Sequence, residues 1–223
     1  MLSLKLNNKW KSSLKLKAFI TFLGLYLCAT FLIVPCIAPI FGREKVKHSE
    51  KIKPTNFMTV FLNRNYVRPE LNKLLSRAEK QLENTTIEIH YLDANFPFIN
   101  QFPLLPHLSH NDGKKIDLSL IYETKNGEIS SKQKSVSGYG VFEHPKPNEF
   151  NQIKKCLSSG FFQYDYPKYV TFGKINEDLI FSKKGNKKLI NSLINQNGLG
   201  KIFIEPHLKN RLNIHHSLSL IHI

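Results

Sequence analysis

Ser109, His110, Asn111, Asp112, Gly113, Lys114, Lys115, Ile116 and Asp117 follow one another in this chain, setting an imidazole and a carboxylate seven positions apart around a glycine. Both groups are good ligands for a divalent ion of borderline softness, and a catalytic zinc takes three protein ligands while keeping a further position open for water. Two ligands at this spacing suit a turn followed by a strand. Gly113 permits the turn, and residues 114–122 alternate as a half-buried strand does, with Ile116, Leu118 and Leu120 toward the core and Asp117 toward a cleft. The same residues also make a plain polar turn entering a strand, with Asp117 solvated. A third ligand has to come from elsewhere in the chain.

The wider sequence bears on that choice. Residues 91–98, opening Tyr91-Leu92-Asp93, residues 102–108, opening Phe102-Pro103, and the motif from Ser109 to Asp117 resemble the zinc peptidases of bacterial cell walls. This group unites lysostaphin-type enzymes, D-Ala-D-Ala carboxypeptidases and the hedgehog fold, and the likeness is nearest to penicillin-insensitive murein endopeptidases. A second likeness lies at residues 200–212, which contain Glu205-Pro206-His207.

The resemblance implies an α+β fold, a small antiparallel sheet with flanking helices, and a zinc cofactor held first by His110 and Asp117. It implies hydrolysis of an amide in peptidoglycan peptide cross-links, with Glu205 as a candidate general base. Those enzymes end in a strand bearing a His-x-His pair, and no His-x-His occurs in this sequence. Two expectations follow: His222, or alternatively His216, supplies the third zinc ligand, or the chain is cut short or altered in frame after Leu212. In the second case the protein is a catalytically incomplete, membrane-anchored wall-binding protein or remnant.

Residues 1–17 carry Lys5, Lys9, Lys11, Lys15 and Lys17 and no acid, and residues 18–42 carry no charge. Since about 20 apolar residues cross a bilayer as a helix, this pattern predicts a basic cytoplasmic N-terminus, a single-pass signal anchor over 18–42, and a domain outside the bacterial cytoplasmic membrane. A cleaved signal peptide is the alternative. The net charge of +15 asks for an anionic partner. The lysines are scattered, as in Lys183-Lys184 and Lys187-Lys188, without a nucleic-acid motif, so peptidoglycan with its anionic polymers, or lipid headgroups, is expected rather than nucleic acid. An ordinary solvated surface gives the same count.

Between anchor and motif, residues 43–66 read as a polar linker and residues 67–223 as the peptidase-like domain. Residues 69–82 form an amphipathic helix opened by Pro69, with Leu71, Leu74, Leu75, Ala78 and Leu82 on one face. Residues 87–92 alternate as a strand, with His90 on the polar phase. Residues 138–147, rich in Gly, Pro and aromatics, suggest a cleft-lining loop in which Tyr139, Glu143 and His144 contact a peptide, or else a rigid surface turn. A second helix over 188–195 ends at Asn197-Gly198, and residues 201–205 read as a buried strand. Cys28, Cys36 and Cys156 offer no disulfide within the domain, and Cys156 reads as a small packed side chain.

Overall fold

The computed structural model describes residues 2–104 and 109–214. The uncharged N-terminal run forms one helical rod. α1 (Leu2–Cys28) passes into a π turn at Ala29–Ile33, then α2 (Val34–Ile37), then a 3-10 turn at Ala38–Phe41, and Gly42 closes it in the left-handed conformation. Pro35 and Pro39 lack the backbone donor that a regular α-helix needs, which accounts for the changes of winding. The part from Ser13 to Phe41 is long and apolar enough to cross a membrane.

Arg43, next in the chain, is 1% exposed. Its Nη1 donates to the Phe96 carbonyl at 3.0 Å and its Nη2 to Asn100 Oδ1 at 2.6 Å. Residues 43–66, predicted as a linker, therefore contribute to the fold. β1 (Glu44–Lys45) and β2 (Ile52–Pro54) precede α3 (Phe57–Phe61), and β3 (Tyr66–Val67) pairs antiparallel with β1. Val46, Ile52, Tyr66 and Val67 are buried, so this stretch carries apolar side chains that a tether would leave in water.

α4 (Pro69–Gln81) matches its predicted span closely, because a 3.6-residue apolar period is a local signal. Leu74, Leu75, Ala78 and Leu82 are buried and Leu71 packs against them. β4 (Ile89–Asp93) lies between β2, to which it runs parallel, and β5 (Asp117–Leu118), to which it runs antiparallel.

The predicted strand over 114–122 is broken in two. β6 (Tyr122–Glu123) belongs to another sheet, between β7 (Ile129–Ser130) and β8 (Ile180–Phe181). The break has a cause: the buried Asn186 amide takes the place of a strand partner, accepting from Ile121 N at 2.9 Å and donating to Ile121 O at 2.7 Å. Between β7 and β8 lie α5 (Gln152–Ser158), where Cys156 is buried, and a 3-10 segment at Phe162–Tyr169.

α6 (Lys183–Ile194) starts earlier than predicted, because Ser182 caps it by accepting from Gly185 N at 3.1 Å. Leu189 and Leu193 join the α4 cluster, while Ile190 and Ile194 pack with Leu208 and Leu212 of α7 (Pro206–Leu212). Residues 201–205 form no strand. Ile202 and Ile204 pack against the clusters, while Phe203 is 48% exposed, so one face of the run is docked and the other meets solvent. Among the described residues the architecture is α+β with three small sheets, one of them containing the parallel β2–β4 pair, where a small antiparallel sheet with flanking helices was expected.

The motif turn lies against the buried Arg43 side chain. Gly113 has φ of 81°, and a Cβ there would meet Arg43 Nε at 2.5 Å; Gly127, also at 81°, has open space around it. Gly127→Ala should therefore cost about 1–2 kcal/mol from the left-handed conformation alone. Gly113→Ala should cost roughly 1–3 kcal/mol more, from crowding a buried guanidinium that cannot move aside. Urea denaturation of the full chain in detergent, followed by circular dichroism, measures the difference, and equal losses would show that Arg43 yields freely.

Candidate metal centre

Asp93 and Asp117 are Cα partners across the β4–β5 pair, at a register irregularity. Like charges facing each other across strands repel, so the pair needs cations beside it. Asp93 is 2% exposed. Arg64 supplies the first cation, gripping the carboxylate by two bonds, Nε to Oδ1 at 2.7 Å and Nη2 to Oδ2. This fork geometry is the strong form of an ion pair.

His110 supplies the second partner. Its ring is 3% exposed, Nδ1 lies 2.8 Å from the Ala94 carbonyl, and Nε2 lies 3.0 Å from Asp117 Oδ1. Nδ1 is also 4.0 Å from Asp93 Oδ2. A neutral imidazole has a single N–H, and the Ala94 carbonyl, which only accepts, claims it on Nδ1. Nε2 then presents a lone pair toward Asp117, an arrangement that holds only if a proton or a metal cation stands between them. Two donors on a tetrahedral zinc at about 2.0–2.1 Å stand roughly 3.3 Å apart, close to the spacing here.

Donor atoms of Asp93, His110 and Asp117 all lie within 4.8 Å of one another, and this buried group could hold a metal ion. Tyr139 completes the surroundings by donating from its hydroxyl to Asp117 Oδ2 at 2.8 Å. Burial, reinforced by the charges of Asp117 and Asp93, pushes the phenol far above its ordinary value, so Tyr139 remains a neutral donor. A carboxylate oxygen that accepts from Tyr139 leaves the other facing His110, which favours one-oxygen ligation. The donor set of one imidazole and two carboxylates suits zinc, iron or manganese.

The backbone around the motif is fixed by Asn95, which is fully buried. Its side chain donates to Tyr66 O at 3.2 Å and Lys115 O at 2.7 Å and accepts from Gly113 N at 3.1 Å. Arg68 adds Nε to Asp112 O at 2.9 Å. The turn that carries His110 is thereby tied to β3 and to the start of α4.

Of the residues singled out in the sequence, His110, Asp117 and Tyr139 are brought together. Glu143, His144 and Glu205 gather around Arg211 and His207 instead. Arg211 donates to Glu149 Oε1 at 2.8 Å and to the His144 carbonyl at 2.5 Å, and its Nη1 lies 3.4 Å from Glu143 Oε2. His207 Nε2 is 2.7 Å from the Glu143 carbonyl and 3.3 Å from Glu205 Oε2, and burial pushes the Glu205 carboxyl up. His216 and His222 lie outside the described residues. His90 is packed, with Nε2 2.7 Å from Glu88 Oε2.

Asp93 and Arg64 were not singled out as site residues. A signal for Asp93 is present: with Ile89 and Tyr91 it occupies the buried phase of β4, where an acid needs a reason. No family model, no curated protein and no solved structure matches this chain. The structure itself thus gives an N-terminal helix long and apolar enough to cross a membrane and a buried aspartate–histidine group that could hold a metal ion.

Burial alone would lower the His110 pKa, but the hydrogen bond and charge of Asp117, with the charge of Asp93, outweigh it and raise the value. A raised folded-state pKa stabilises the metal-free fold fully below about pH 6.5, and that contribution is lost as pH rises through the raised value. Metal competes with the same proton, so zinc should bind more tightly as pH increases and release about one proton at neutral pH. Calorimetric titrations in two buffers of different ionisation heat read that proton directly, and identical heats would show that His110 is already neutral.

Proposed function

We propose that this chain is a membrane-anchored zinc peptidase of the murein-peptidase, hedgehog-like type, working on peptide cross-links of the bacterial wall from the outer side of the cytoplasmic membrane. The observation that carries the reading is the convergence of His110 Nε2 on Asp117 Oδ1 at 3.0 Å, with the Asp93 carboxylate beside them. The resemblance of residues 91–117 to wall peptidases names the substrate class, and the apolar helix Ser13–Phe41 supports the location.

The donor set fits zinc, with His110, Asp117 and Asp93 as ligands among the described residues and His222 or His216 as the histidine candidates outside them. Bound zinc supplies Lewis acidity toward an amide carbonyl and toward water. The chain's own groups prepare that chemistry. The Ala94 carbonyl fixes the His110 tautomer, as the outer partner of a ligating histidine commonly does. Tyr139 donates its one hydroxyl proton to an oxygen of Asp117 and so holds that carboxylate in place. Arg64 sets the plane of the Asp93 carboxylate. Glu205, the general base suggested by the resemblance, contacts His207 and therefore enters this scheme only by reorienting.

A second reading is favoured by Arg64, which occupies both oxygens of Asp93. If that ion pair is permanent, two ligands remain among the described residues, too few by themselves for tight zinc, and the protein is an incomplete wall-binding member of the type.

Full-length protein in nanodiscs, loaded with zinc and incubated with cross-linked muropeptides, separates the two. Chelator-sensitive cleavage that falls about 100-fold or more in His110→Ala and Asp117→Asn establishes the peptidase. Asp93→Asn should weaken zinc binding in the first reading. Failure of the intact protein to hold zinc through dialysis, with no cleavage, selects the second.

A further inference from the structure

The N-terminal rod does not simply stand on the domain, because the domain reaches down its side. Tyr26 donates from its hydroxyl to the Phe61 carbonyl at 2.8 Å, and Asn63 Nδ2 donates to Thr30 Oγ1 at 3.0 Å. The Phe31 and Phe57 rings stack at 6.3 Å, and Tyr26 meets Phe61 at 5.1 Å. α3 is thus docked against positions 26–31 of the rod, well before its end at Phe41.

Depth follows from helix geometry. Lys17 is the last charged residue before the uncharged run. At 1.5 Å per residue, positions 26–31 lie about 14–21 Å beyond it, inside the roughly 30 Å hydrocarbon layer. An exposed side chain on α3 at that depth meets lipid.

We infer that α3 is a second lipid-contacting element, with Phe57, Met58 and Leu62 seated in the leaflet on the domain's side of the bilayer beside the crossing helix. This rests on the membrane-anchor part of the function proposed above. Phe57 is 62% exposed, Met58 53% and Leu62 47%. Residues 55–63 contain no charged side chain. The opposite side of α3 is fastened to the domain by buried Thr59, whose hydroxyl donates to Leu92 O at 2.9 Å.

The backbone amides at the exit of α3 are met as lipid contact requires. Leu62 N donates to Met58 O at 2.9 Å, Asn63 N to Val60 O at 3.1 Å and Arg64 N to Thr59 O at 2.9 Å, so the exit from α3 offers its amides to the protein. The first charge after it, Arg64, is turned to Asp93. A soluble surface would gain nothing from Phe57 and Met58 on a five-residue helix with Leu62 just past its end, whereas burying each in hydrocarbon is favourable.

The test uses the full chain with Cys28, Cys36 and Cys156 replaced by alanine, reconstituted into vesicles of phosphatidylethanolamine and phosphatidylglycerol. A single cysteine carrying an environment-sensitive fluorophore is placed at Met58, Leu62, Leu25 or Asn126, and each variant is kept only if its circular dichroism matches the parent. The expected result is blue-shifted emission, quenched by nitroxide-bearing lipids, at 25, 58 and 62, with water-like, unquenched emission at 126. Lipid contact at 25 with water-like emission at both 58 and 62 overturns the inference and leaves the anchor standing. Water-like emission at 25 removes the anchor and the inference together.

Discussion

Two carboxylates facing each other across an antiparallel pair are the constraint that organises this molecule. Asp93 and Asp117 could not share that position unless cationic or proton-bearing groups met them. Arg64 arrives from the chain just after α3, and His110 arrives from the turn before β5, its ring steadied by the Ala94 carbonyl. Each compensating group comes from a different part of the sequence, so the charge problem at one point requires three segments to be in register. Buried polar networks of this kind fix a unique arrangement when every member is satisfied.

The supporting frame is equally polar. Asn95 and Arg68 hold the turn at Asp112 and Gly113 through backbone carbonyls and amides rather than apolar contact. Apolar packing lies further out, in the face of α4 against Leu189 and Leu193 and in the α6–α7 contact. Stability and site geometry therefore draw on different residues. A loss in the α4 core would weaken the whole fold, whereas a change at Asn95 or Gly113 would act on the position of His110.

Legibility in the sequence follows the range of the forces. α4 and β4 are written in local periodicity, and the N-terminal rod in the absence of charge over residues 18–42. His110 and Asp117 are near enough in sequence for their spacing to carry meaning. Residues 43–66 escaped because strands of two or three residues have no period to detect, and their pairing is decided by distant partners. Asp93 was hidden for a related reason: its role depends on Arg64, 29 positions away. At 201–205 an alternating apolar run looks the same whether it forms a strand or packs its apolar side chains against the core outside any sheet, as Ile202 and Ile204 do. Asn186, standing in for a strand, could not be foreseen from the run it interrupts.

Burial of Arg43 leaves no slack between the rod and the domain. A flexible tether lets a domain sweep a volume around its anchor, whereas a guanidinium locked to Phe96 and Asn100 one residue past the rod gives the site a set altitude. With the rod in a bilayer, the centre at Asp117 reaches only material brought to one thin layer above the lipid. For the wall peptidase proposed above, selection among substrates would then begin with their height above the lipid.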